Sequence, residues 1–175
     1  MSVHTPREGF WDFSVRTYRN PDVPEACLDL QNCYGADVNM VLYCCWIALR
    51  NGLFEDTLFA AAGEFSAHWA KHVVVPLRST RTWMKHTGCH ADPVPTGACM
   101  KLRDKIKSVE FTAEKLQQQV LESLALTVTE RDADPRQVLA DAKENFKRYA
   151  LHAGIGINGK IQRNFSKITD AAFHL

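Results

Sequence analysis

Glu64, His68 and His72 stand four residues apart, which on a helix puts a carboxylate and two imidazoles on one face, the donor types that hold zinc or iron. Three ligands at that spacing climb about 12 Å of helix, so only a neighbouring pair could share an ion. His86, Cys89 and His90 form a second donor group at a loop edge. Neither group carries an H-E-x-x-H motif or a second carboxylate-histidine helix, so both read as solvated or capping side chains, and no metal or other cofactor is expected. The six cysteines, Cys27, Cys33, Cys44, Cys45, Cys89 and Cys99, contain no C-x-x-C and read as reduced. Cys44 and Cys45 fall inside an apolar helix pattern, where a thiol behaves as a small hydrophobe. There is no G-x-S-x-G elbow for a serine nucleophile. Residues 154 to 159 spell G-x-G-x-x-G, but the segment before them is helical and polar where a dinucleotide fold needs a buried strand, so they read as a hinge.

Charge is more informative. Residues 1 to 70 carry four Lys/Arg against nine Asp/Glu, residues 71 to 107 carry eight against two, and the rest balance at nine each, giving the overall +1. Within the basic third, Arg78, Arg81 and Lys85 fall at i, i+3, i+7, on one face of one helix with Trp83 nearby. That face suits an acidic protein surface and, less well, a phosphate-bearing ligand or RNA; RNA ranks last, because a pI of 7.7 is low for a nucleic-acid domain. The alternatives are a solvated face or internal pairing with the acidic N-terminal third. A second candidate is a pocket lined by Trp11, Asp12, Gln31, Asp37, Asn39 and Trp46. Asp37 reads as a helix cap, while Asn39 points either into such a pocket or to a buried neighbour such as Gln31.

These residues need helices to hold them. At 175 residues, 46% apolar and 23% charged, the chain has a globular composition, and its longest apolar run, Val38 to Leu49, is too short to cross a membrane. No secretory leader opens it, which gives a cytoplasmic expectation. Phe10 to Tyr18 make a short aromatic helix. Asp22 caps a second, with Val23, Cys27 and Leu30 on one face and Gly35 as its stop. Residues 37 to 51 are apolar all round, the mark of a central helix wrapped by others. Residues 55 to 87 keep helical spacing, and Pro76 predicts a kink or break just before it. The loop from Gly88 to Gly97 is the best internal boundary. Leu102, Ile106, Val109, Ala113, Leu116 and Val120 then form a heptad seam for packing against an antiparallel neighbour. Asp134-Pro135 opens a further helix, and Ile161, Phe165, Ile168 and Ala172 mark a last one. The expectation is an all-α, single-domain bundle of six to eight helices. Its N-terminal residues 1–8 are disordered, its helical body spans 9–153, and a flexible link leads to a C-terminal helix over 154–175 packed on the same domain.

Phe10-Trp11-Asp12-Phe13-Ser14, Cys27-Leu28 with Leu30-Gln31, Gly35-Ala36-Asp37-Val38-Asn39, Trp46, Val73-Val74 with Pro76-Leu77-Arg78, Arg81 and Lys85 together resemble a bacterial family of small helical proteins known only as a domain of unknown function. The resemblance runs from about residue 9 to 86 and implies no substrate, cofactor or catalytic residue. Its pattern does not require histidine at 68 or 72. The functional expectation is therefore a non-enzymatic cytoplasmic protein-interaction module working through Arg78, Arg81 and Lys85. The alternative is a small-molecule or enzymatic pocket near Trp11, Asp12, Asn39 and Trp46.

Overall fold

A computed structural model describes residues 8–91, 93–125 and 134–173. Among these there are eight α-helices and no strand, so the protein is all-α. The helices are α1 Phe10–Tyr18, α2 Asp22–Tyr34, α3 Val38–Arg50, α4 Asp56–Trp69, α5 Val75–His86, α6 Thr96–Ala125, α7 Pro135–His152 and α8 Gly159–Phe173. Most of the expected N-terminal disorder falls on residues 1–7, outside the described ones. Glu8 is held, its carboxylate on Arg16 and its carbonyl accepting from the Trp46 indole.

Local signals place the helix ends. Asp37 caps α3, its carboxylate accepting from the Asn39 amide. Asp134 does the same for α7 through the Arg136 amide, with Pro135 in the first turn. Gly35, at φ 69°, adopts the left-handed conformation that ends α2, which any side chain would strain. Asp22 is not the cap of α2: it is the first helical residue, and Asn20 accepts its amide proton. Before Pro76 the chain makes a π-turn, Ala70–Val74, in which the Val75 amide bonds back to the Ala70 carbonyl. The extra residue lets the helical path continue past a proline that offers no amide and would clash with the carbonyl of His72.

The chain divides into two compact units, one made of residues 1–63 and 118–175, the other of residues 64–117. The division falls inside α4 and α6. The loop after Gly88, expected as the boundary, is instead the turn between α5 and α6, and Cys89 and Cys99 are joined across it by a disulfide with their Cα atoms 5.3 Å apart. Reduced cysteines were expected here. A separation of ten residues matches no familiar motif, and only the turn brings the two thiols together.

In the larger unit α3 is the core. Every residue from Met40 to Ala48 is buried, as an apolar circumference requires. Phe10, Tyr43, Trp46 and Phe54 pack as a cluster of rings with centroids 5.2 to 5.8 Å apart, most of the pairs tilted. Buried polar groups lock the packing. Asn145 accepts from the Phe54 amide and donates to the Gly52 and Cys44 carbonyls, and the Tyr149 hydroxyl accepts from the Asp37 amide at 2.7 Å. On α8, Ile161, Phe165, Ile168 and Ala172 are buried as their spacing requires, and Phe165 stacks on Phe146 at 4.1 Å.

In the 64–117 unit, five ties pair residue 69 with 113, 78 with 110 and 114, 81 with 110 and 89 with 99, so α6 runs antiparallel to the preceding helical segment. The heptad seam of α6 is only half used. Ala113 is buried, but Leu102, Val109 and Leu116 are 53%, 54% and 44% exposed, and Glu110 and Gln117 take the buried places. The packed face is thus rotated from the expected seam, and on it Glu110 meets two arginines.

Candidate functional site

Arg78 and Arg81 lie one turn apart on α5, and both reach Glu110 on α6. Arg78 donates through Nε to Glu110 at 3.1 Å and through Nη2 to Glu114 at 2.7 Å. Arg81 donates to Glu110 through Nε and through Nη2, the latter at 3.2 Å. The Glu110 side chain is 7% exposed and each arginine 24%. The hydrogen bond to Glu110 raises the Arg81 pKa above its ordinary value, against the smaller cost of burial. A buried carboxylate shared by two guanidiniums is a structural clasp. Of the three cations expected to present an open basic face, only Lys85 is exposed. The carboxylates that pair with the arginines come from α6, not from the acidic N-terminal third, and nothing local to residues 78 to 85 signals them.

The pocket candidates are dispersed among structural tasks. Asp12 is exposed and Trp11 half-buried. Trp46 is enclosed by rings, with the Arg50 guanidinium 5.2 Å from its own ring centroid. Asn39 is buried, and its Oδ1 accepts from Gln118 at 2.8 Å. Its buried partner is therefore Gln118, not Gln31, which donates to neighbouring Asn32. Asp37 is the cap already described.

Among the described residues no group of three or more His, Cys, Asp and Glu stands close enough to hold a metal ion. His68 and His72 are neighbours with ring centroids 5.9 Å apart, and Glu64 is exposed on the same helix. Cys89 is bound to Cys99, and His86 and His90 are exposed. Burial pushes the Cys27 thiol up to about 11, a hydrogen bond to Tyr18 opposing it, and burial pushes Cys44 and Cys45 higher still. These thiols stay protonated at neutral pH and are not nucleophiles. Cys33 is exposed, but its hydrogen bond to the Asp29 carboxylate raises its pKa as well. None of the eight helices is long and apolar enough to cross a membrane.

What distinguishes the 64–117 unit is its surface. It carries nine Lys/Arg against five Asp/Glu, a net charge of +4. It also holds half of the exposed large apolar side chains among the described residues: Val75, Trp83, Val94, Leu102, Val109, Phe111 and Leu116. Trp83 lies so close over Gly88 that a Cβ there would clash with its ring.

Among the described residues, helices without strands, buried polar side chains tied into the packing at Asn145, Tyr149 and Glu110, and exposed apolar side chains on a unit of net positive charge describe an all-α protein. The chain belongs to the family described as "Protein of unknown function (DUF2390)", whose model matches residues 9–121, from the start of α1 to the last turns of α6. No curated protein and no solved structure matches it.

Proposed function

We propose that this protein is a protein-interaction module that receives an acidic partner on its 64–117 unit. The observation that carries the reading is the concentration of exposed apolar side chains on a unit of net charge +4. Exposed apolar side chains at this density are costly to leave in water, and together with a net positive charge they suit an acidic docking partner. The Arg78, Arg81 and Glu110 clasp supports the reading indirectly, because a surface braced from beneath loses little freedom when it binds. Lys85, Lys101 and Lys105, all exposed, supply the attraction, in place of the two arginines.

The test is retention from native extract on the immobilised full chain, comparing wild type with the double variant Lys85→Glu, Lys105→Glu. An acidic protein held by wild type, released by salt and lost from the variant is the expected result. Once purified, it should bind the variant about tenfold more weakly, a difference of about 1.4 kcal/mol. Identical retained sets on the two baits would overturn the reading.

A further inference from the structure

Leu102, Val109 and Leu116 recur every seven residues, so they form one line along α6, about 21 Å long. On one side this line borders Ile106 and Ala113, which turn toward the packed face. On the other it borders Lys101, Lys105, Ser108 and Thr112, all exposed. The carboxylates of α6 lie elsewhere: Glu110 and Glu114 are held by α5, and Asp104 and Glu122 fall on the opposite side of the helix. The open border of the apolar line therefore carries lysines and no acid.

We infer that this line seats an acidic amphipathic helix of the partner, lying along α6 with apolar side chains against Leu102, Val109 and Leu116 and carboxylates against Lys101 and Lys105. The inference rests on the reading of the 64–117 unit as the docking unit and adds the form of what docks. A seven-residue period is met by another helix, whose ridges repeat at the same interval, and not by an extended strand with a period of two. A second copy of this chain fits worse. Paired in parallel it would set Lys105 against Lys105, and in either direction its border brings no carboxylate to the lysines.

The probe is a labelled synthetic peptide of three heptads, with leucine at the two seam positions and glutamate on the flanks; a twin carries lysine on the flanks. Each is titrated with the full chain by fluorescence anisotropy at low and high salt. The acidic peptide should bind, weaken as salt rises, and bind at least about tenfold more tightly than its twin. Val109→Asp and Lys105→Glu should each weaken it about tenfold, with melting temperatures near that of wild type. Equal binding of the two peptides, or indifference to Val109→Asp, would overturn the inference. If Val109→Asp is neutral in the peptide titration and in retention of the extract-derived partner, while Lys85→Glu releases that partner, the docking unit stands and the helical seat on α6 falls. A dimer in sedimentation velocity that Val109→Asp dissolves would give the face to a second copy and overturn the inference as well.

Discussion

Glu110 owes its place in the interior to two arginines, and the three side chains stand or fall together. Replacing Arg78 and Arg81 by glutamine leaves a buried carboxylate without a counter-charge, so the double variant should lose about 3 to 5 kcal/mol in denaturant titration. A loss below about 1 kcal/mol would mean that the clasp is no stronger than an exposed ion pair. Asp29 gives a contrasting case at the surface. Its hydrogen bond from Lys160, at 2.6 Å, lowers the carboxyl pKa, helped by Asn164. A carboxylate lowered in the folded state stabilises above its ordinary pKa, and the gain is lost as pH falls through the lowered value. Asp29→Asn should therefore melt below wild type at neutral pH, and the gap should close in acid. A gap that persists or widens under acid would show that the charge is not what binds α2 to α8 there.

Helix α6 shows how an element's pattern and its packing can part company. Six apolar positions spaced by four and three fit a seam, yet three of them are open and a glutamate lies within. Side chains on the open line contribute little to folding, so Val109→Gln should change stability by no more than about 0.5 kcal/mol. Ala113 is buried beside the carbonyl that receives the Trp69 indole proton, so Ala113→Leu should cost about 1 to 3 kcal/mol by overpacking. Reversed magnitudes would restore the seam to the interior. The π-turn before Pro76 is the opposite case, a local rule that held. Proline cannot sit in an unbroken α-helix without losing a bond and meeting a carbonyl, and the chain takes in one residue to accommodate it.

At the scale of the molecule, the two units differ in how much they bury. The α3 helix alone is sealed from Met40 to Ala48, whereas the buried apolar side chains of the 64–117 unit, among the described residues, are Val74, Met84, Cys89 and Ala113. A thin core opens at lower cost. Native-state hydrogen exchange should find the slowest amides in α3 and α7, and amides of α5 exchanging at least about tenfold faster. Reduction of the Cys89–Cys99 disulfide should speed α5 further while α3 keeps its protection. Uniform protection through both units would refute the division of stability.

The sequence alone determined what depends on near neighbours and on the burial of a helix face. The all-α class, the central position of residues 37 to 51, the Asp37 and Asp134 caps, the stop at Gly35 and the interruption before Pro76 all follow from spacing, capping and backbone sterics within a few residues. The family resemblance was legible too, in motifs spread from α1 to α5. Tertiary structure decided what depends on meetings between distant residues. Glu110 lies 32 residues from Arg78, Gln118 lies 79 from Asn39, and Cys99 meets Cys89 only because the turn between α5 and α6 closes. A charge on a helix face reads the same whether it meets water or a carboxylate. Only the packing of α6 shows that two of the expected docking cations brace the interior, while the open, lysine-bordered face lies on the neighbouring helix.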